Sequence, residues 1–339
     1  MELLLKARLN LFDNTNTTND KASGNDLSPE MKTYYSDYLI DTAEPELVHD
    51  QFGQKRPIPK NGGKSIEFRK YAPLVKQLTA LTEGVTPAGQ KLDVSTVTAT
   101  VAQYGGYVEL SDVLLLSAID NNLVEATKLL GGQAGRTLDT ITREVLAGNS
   151  NVAYAGSATS FASIAQTDVL TVADVKKAVR ALKIQNAPRI NGAYVAIIHP
   201  DCAHDIMNDA EWKYPHQYQD TKNIYEGEIG MIAGVRFVET TEAKVWQKGT
   251  KRGTATNSAC NVYATQFIAD NAYGVTDIAG GGLQHIVKQL GSAGTGDPLD
   301  QRATAGWKAI KTAEILVPQY IVTMLSASSF TDTPDNMSN

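Results

Sequence analysis

Positions Ile119, Leu123, Thr127, Leu130, Ala134, Leu138, Ile141 and Val145 follow one another at intervals of three or four residues. That spacing lays a single stripe along a helix. It predicts a helix from about Asp120 to Ala147, ~42 Å long at 1.5 Å per residue. Gly131, Gly132 and Gly135 fall inside it. Each costs ~1 kcal/mol relative to alanine, so they mark either the close approach of another backbone or a bend. A second helix starts at Val172, capped by Thr171, with Val175, Ala178, Val179 and Leu182 as its buried face, and it stops before Pro188. A third opens at His199-Pro-Asp, with Ala203, Ile206 and Met207 inward. Between these two, Tyr194-Val-Ala-Ile-Ile-His has no polar break until its end, the pattern of a strand buried on both faces.

Elsewhere the period shortens to two. Ser65-Ile-Glu-Phe-Arg-Lys-Tyr and Val94-Ser-Thr-Val-Thr-Ala-Thr-Val-Ala-Gln-Tyr read as strands, and Tyr107-Val-Glu-Leu continues after Gly105-Gly106. The turn-rich stretch Leu81-Thr-Glu-Gly-Val-Thr-Pro-Ala-Gly lies between them. Residues 64–110 therefore form a long two-stranded excursion with few large apolar residues. A lone hairpin of this kind is marginal in water, so it must lie on its own body or on a neighbouring chain. From Ile229 onward the chain is mostly strand, with segments at 235–239, 262–268, 274–278, 284–289, 307–316 and 320–325.

The termini look different again. Asn14-Thr-Asn-Thr-Thr-Asn-Asp is polar and of low complexity, so residues 1–30 read as an arm that cannot order itself alone. A short helix is predicted from Pro29 to Glu44, capped by Ser28 and limited by Pro45, with Tyr34, Tyr35 and Tyr38 packing on a neighbour. The tail from Thr331 is polar and loose.

The length of 339 residues suggests roughly two domains. A net charge of -6, from 31 Lys and Arg against 37 Asp and Glu, argues against a dedicated nucleic-acid binder. Two cysteines, Cys202 and Cys260, exclude a disulfide scaffold. The N-terminal apolar run Leu3-Leu4-Leu5 is too short for a signal peptide, and no stretch reads as a membrane span, so a soluble cytosolic protein is expected.

Candidate chemistry is sparse. Gly63-Lys64-Ser65 resembles the end of a phosphate loop, but Ile58 stands where the first glycine belongs and a strand follows instead of a helix. The better reading is a turn at a hairpin root. His199 and His204 flank Asp201, Cys202 and Asp205, yet no second cluster joins them to complete a metal site. A strand-to-helix junction, with Asp201 capping and His199 filling the corner, explains the group. Gly291-Ser-Ala-Gly-Thr-Gly has Ala293 where a dinucleotide loop needs glycine, and it reads as an inter-strand loop. Lys248-Gly-Thr-Lys-Arg-Gly reads as a solvated hairpin tip. No catalytic, cofactor-binding or metal-ligating residue is nominated, and a non-enzyme is expected.

Several blocks taken together resemble a known family. They are His49-Asp-Gln-Phe-Gly-Gln-Lys-Arg-Pro-Ile-Pro-Lys-Asn-Gly-Gly-Lys-Ser-Ile-Glu-Phe-Arg, Leu81-Thr-Glu-Gly-Val-Thr-Pro, Gln103-Tyr-Gly-Gly-Tyr-Val-Glu-Leu-Ser-Asp, Val195-Ala-Ile-Ile-His-Pro-Asp and Ile232-Ala-Gly-Val-Arg-Phe-Val-Glu-Thr. They resemble the major capsid proteins of tailed bacteriophages, in the branch typified by coliphage N-four, over roughly residues 30 to 328. The resemblance implies an α+β protein of the Hong Kong-type phage capsid fold. Its parts are an N-terminal arm (1–60), an extended β-hairpin loop (61–110), a peripheral domain (111–164 and 280–317, with its spine helix near 120–147), an axial domain (165–279 and 318–330) and a flexible tail (331–339). It implies self-assembly into pentamers and hexamers of an icosahedral shell that encloses double-stranded DNA without sequence-specific contacts. The expected setting is the virion, after assembly in the host cytoplasm and with no membrane partner. Expected partners are a portal and decoration proteins, and, because only about 60 residues precede the extended loop, either a separate scaffolding protein or assembly without one. Cross-linking through Lys64, Lys70 or Lys76 is a lesser alternative. The competing readings are an encapsulin-like nanocompartment shell of the same fold and an α/β enzyme.

Overall fold

A computed structural model describes residues 48–117, 122–212, 228–292, 297 and 299–330. The predicted Pro29–Glu44 helix, the aromatic loop after Trp212, most of the glycine-rich 291–296 segment and the tail lie outside the described residues. In chain order the elements are β1 (Gln54–Lys55), β2 (Ser65–Tyr71), β3 (Val94–Thr100), β4 (Ala102–Ser111), α1 (Asp112–Ser117), α2 (Asn122–Ala147), β5 (Val152–Tyr154), α3 (Val172–Ile184), β6 (Tyr194–Ile198), α4 (Pro200–Asn208), β7 (Glu228–Ile232), β8 (Val235–Glu239), β9 (Val245–Trp246), β10 (Lys251–Arg252), β11 (Ala255–Thr256), β12 (Val262–Ile268), β13 (Tyr273–Asp277), β14 (Gln284–Lys288), β15 (Arg302–Ile315) and β16 (Ile321–Ser326). The chain divides into two compact units, residues 1–51, 102–143 and 280–311, and residues 52–101, 144–279 and 312–339.

In the first unit the long helix packs on a sheet. β4 pairs antiparallel with β15 over ten residues, Arg302↔Ser111 to Lys311↔Ala102, and β14 pairs on the other side of β15. Leu123, Ala126, Leu130, Ala134 and Leu138 of α2 bury their side chains against Leu110, Ala305, Trp307 and Ala309. The predicted stripe is the face that makes this core. α2 runs unbroken through its glycines, of which Gly131 and Gly135 are buried, so they do not break it. Trp307 donates its indole N–H to Gln133 Oε1 at 3.1 Å, and Gly106 lies so close that an added Cβ would come within 2.6 Å of the same oxygen.

The second unit is built on a seven-stranded sheet in the order β5-β16-β12-β6-β8-β7, with β9 also paired to β12. Its central strands β6, β12 and β16 are buried along their whole length because both faces are covered, and β6 is a continuous apolar run. Tyr263, Phe267, Val322 and Met324 face α3 and α4, and the alternate residues Val262, Ala264 and Leu325 face Phe161, Ile164 and Trp246. Thr171 caps α3 reciprocally with Asp174.

Several expectations need correction. The sequence pattern makes β4 the second half of the long excursion, yet its hydrogen bonds go to β15, so the hairpin ends at Thr100. A separate helix, α1, precedes α2. The resemblance places residues 144–164 in one domain with the spine helix; β5 pairs in parallel with β16 and falls in the second unit. Met207 is exposed rather than inward. β15 also starts earlier than expected, at Arg302.

Candidate functional site

The feature that stands apart from both cores is the hairpin. Its root is tied to β13: β1 pairs with it in parallel, Ile58 donates to Asp277 O at 2.7 Å, and Ala279 donates back to Ile58 O at 2.8 Å. Asn61 and Gly63 take positive φ, 66° and 88°, and turn the chain into β2. The phosphate-loop look-alike is therefore a hairpin root. β2 and β3 pair over seven residues, and Val101 N–H to Lys64 O closes the base. Phe68 is the hairpin's principal anchor. It is only 8% exposed, and its ring occupies the space a side chain at Gly274 would need, 2.8 Å from an ideal Cβ. Lys70 also reaches back, its Nζ 5.9 Å from the centre of the Tyr320 ring.

Beyond Tyr71 nothing covers the loop among the described residues. Residues 72–93 lack regular structure and are exposed throughout. Tyr71, Leu74, Val75, Leu78, Leu81, Val85, Leu92 and Val94 account for half of the sixteen large apolar side chains exposed among the described residues. Clustered exposed apolar groups of this kind mark an interaction surface.

A second arrangement fixes the start of the described chain. His49 donates its backbone N–H to Asp139 Oδ1 at 2.8 Å, and its Nδ1 lies 2.6 Å from Asp139 Oδ2. Asp50 accepts from Thr142 Oγ1 at 2.6 Å and pairs with Lys311, which also donates to Leu138 O at 2.8 Å. These groups are buried within the first unit and bind residues 49–50 to α2 and β15. Sequence reasoning did not single out this cluster. Its members are far apart in sequence, and each alone reads as an ordinary polar position.

The sequence-nominated chemistry stays dispersed. His199, not Asp201, caps α4: its Nδ1 accepts from Asp201 N–H at 3.2 Å. Asp201 instead accepts from Tyr263 Oη at 2.7 Å. Burial lowers the His199 pKa, against the opposing pull of Asp201. Cys202 is fully buried with its thiol 3.6 Å from Ser326 Oγ, and burial pushes its pKa far up. His204 is exposed and contacts Asn208. No group of three or more His, Cys, Asp or Glu among the described residues could hold a metal. Lys248–Gly253 is only partly a solvated tip. Arg252 donates to the carbonyls of Ala147 and Asn149 and lies 5.7 Å from the Trp246 ring centre. Lys64, Lys70 and Lys76 are all exposed on the hairpin. No helix among the described residues is long and apolar enough to cross a membrane.

A long helix on a sheet, a second mixed α/β unit and a projecting hairpin together define a shell-forming subunit of the phage capsid fold. The solved capsid of Ralstonia phage GP4 matches at a TM-score of 0.67 and 16% identity, over 85% of this chain and 90% of that one. The capsid of cyanophage Pam1 matches at 0.63 and 13%, over 95% and 98%. The head of Helicobacter pylori bacteriophage KHP40 matches at 0.58 and 12%, over 80% and 88%. A search of the curated proteins finds no match. A family model described as phage capsid protein matches residues 115–288, about half of the chain, and the chain belongs to that family. It is a major capsid protein, and the nanocompartment alternative is not favoured.

Proposed function

We propose that copies of this chain close into the icosahedral shell around the double-stranded DNA of a tailed phage, as pentamers and hexamers. The observation that carries this reading is the hairpin: seven paired residues anchored by Phe68, then about twenty exposed residues rich in leucine and valine. Such a loop is marginal alone and is completed by a surface of another copy. In a closed assembly each subunit presents one surface and receives a different one.

The domain assignment follows the same reasoning. Residues 1–60 act as the arm and 61–101 as the extended loop. Residues 102–143 and 280–311 form the peripheral domain with α2 as its spine. Residues 144–279 and 312–330 form the axial domain, and 331–339 the tail. The β4–β15 pairing supports ending the loop at 101 instead of 110. The function is structural and no catalysis is assigned. The shell belongs to the virion and assembles in the host cytoplasm, with a portal, a separate scaffolding protein and decoration proteins as partners.

The test is to express the full chain and a variant with residues 66–99 replaced by a short glycine linker, then image both by negative stain. The full chain should give closed shells. The variant should unfold cooperatively like the parent subunit yet form none. Shells of normal size from the variant would refute the role of the loop, and a full chain that stays a small oligomer under all assembly conditions would refute the capsid reading itself.

A further inference from the structure

The latch that His49 and Asp50 form with Asp139, Thr142 and Lys311 is paired within its own unit. The outer face of α3 is not. Along its thirteen residues α3 carries Lys176, Lys177, Arg180 and Lys183 against one acid, Asp174. Lys177 pairs with Asp174, and Lys176 with Glu211. The side chains of Arg180 and Lys183 are exposed and make no ion pair or hydrogen bond among the described residues. Cations near a helix C-terminus suit the negative end of its dipole, which accounts for their sign. It does not account for what lies beside them.

Beside them lies a groove of about 460 Å³ between α3 and the turn that joins β7 to β8, all within the second unit. Lys176, Arg180 and Lys183 line it at helical spacing, over ~10 Å of axis. Val179, Ile184 and Ala233 supply its apolar lining. Ile184 is 58% exposed. Ala233 holds φ at 54°, a left-handed conformation that glycine adopts at lower cost, so the turn keeps a methyl group at this edge. A solvated basic face needs neither a hollow nor an exposed isoleucine. A phosphodiester backbone would meet the cations but would offer nothing apolar to Ile184 and Ala233. An apolar side chain flanked by carboxylates satisfies both halves of the lining.

Resting on the shell reading, we propose that this groove receives an acidic segment of a second protein that joins the shell. An apolar side chain of leucine size sits on Val179, Ile184 and Ala233, and flanking carboxylates meet Arg180 and Lys183. The spacing of the cations suits a helix laid along the groove, whose own anchors recur every three or four residues. Electrostatic complementarity of this kind chiefly sets partner choice and encounter rate, and the apolar part holds the contact once it is made.

Fluorescence anisotropy with the full-length subunit tests this. The probe is a labelled helical peptide of about fifteen residues, with a leucine stripe flanked by glutamates. It should bind saturably, and R180E/K183E should weaken it roughly tenfold or more at low salt. I184S should weaken it about fivefold to tenfold. K177Q, on the same helix but outside the groove lining, should change it less than about twofold. These side chains are all exposed, so each variant should melt like the parent, which separates lost docking from lost folding. Zero-length carbodiimide coupling, which joins a carboxylate to an amine only where they touch, should link the peptide's glutamates to Lys183. The proposal is overturned if the peptide does not bind, if R180E/K183E and I184S leave its binding intact, or if the same peptide with serine for leucine binds as tightly. It is equally overturned if a DNA duplex of similar length binds through Arg180 and Lys183 more tightly than the peptide, since the face would then serve nucleic acid. Coupling of Lys183 to Asp220 or Glu226 in the free subunit would give the groove to the chain's own 213–227 segment. Coupling to another copy, seen as mixed isotopes in shells of light and nitrogen-15-labelled chain, would give it to a contact between copies. Either result overturns the proposal. Closed shells whose subunits bind no peptide leave the capsid reading standing and remove only this site. Groove-dependent binding by a chain that never closes into shells keeps the site and removes that reading.

Discussion

Phe68 and Gly274 should behave as one structural unit, and a double-mutant cycle measures how strongly. The Phe68 ring is 8% exposed and fills the place where a Cβ on residue 274 would sit, with contacts of 2.8 and 3.0 Å. Phe68→Ala removes a buried ring and leaves a void, a cost of ~3 kcal/mol at the low end for such truncations, since the site lies at the edge of a core. Gly274→Ala forces the ring aside and costs ~2 kcal/mol by overpacking. If the two were independent the double variant would lose ~5 kcal/mol. The new methyl group instead enters the space the ring vacates, so the double variant should lose only ~3 kcal/mol, a coupling of ~2 kcal/mol. Because the hairpin has little else to hold it, the loss should appear locally. Native-state hydrogen exchange of β2 and β3 amides in Phe68→Ala should speed up ~150-fold, which is ~3 kcal/mol at 1.4 kcal/mol per factor of ten, while β6 and β12 amides stay protected. Additive single effects, or loss of protection spread evenly over the second unit, would refute the idea of Phe68 as a local pin.

Three further outcomes follow from the buried groups. Lys311→Met should destabilise the unassembled subunit by ~3–5 kcal/mol in urea unfolding, because it strands the buried Asp50 carboxylate. The D50N/K311M pair should recover most of that loss, and a cost below ~1 kcal/mol for Lys311→Met would mean the ion pair is not part of the latch. His199 has a folded pKa below its ordinary value of 6.5, chiefly through burial, so the unfolded chain takes up the proton first as pH falls. Stability should therefore decline from about pH 6.5 downward to the folded pKa, and His199→Asn, which keeps a capping acceptor, should flatten that decline in thermal melts at pH 7 and pH 5. Cys202 and Cys260 both have raised pKa values, mainly from burial, so neither should react with a thiol reagent at pH 8 until the subunit is unfolded. Fast labelling of the native subunit would contradict the burial of both thiols.

Much of the architecture was legible because it is written in local patterns. The stripe from Leu123 to Leu138, the cap at Thr171 and the unbroken apolar run Tyr194–Ile198 each depend on residues close together in sequence, and each corresponds to an element. Partner choice was not legible. β4 alternates and follows two glycines, so it looks like a continuation of the hairpin, but its partner β15 lies about two hundred residues away and no local signal names it. The same holds for the latch, where His49 meets Asp139 and Asp50 meets Lys311. At His199 the sequence identified the corner correctly but gave the capping role to the wrong residue, because Asp is the commoner cap and Tyr263, which claims Asp201, is remote in sequence.

The buried titratable groups hold the fold together: His199 caps a helix, Asp139 and Asp50 bind residues 49–50 to α2 and β15, and Cys202 packs beside Ser326. Among the described residues, nothing covers the apolar groups displayed on the 71–94 loop. On the proposed shell reading a neighbouring copy completes this loop, and the free energy it lacks in the isolated subunit is then available for assembly. Subunits in a shell should accordingly protect the 72–93 backbone from proteolysis, and free subunits should be cut there first. The regular elements of the two compact units should resist cleavage equally in both states.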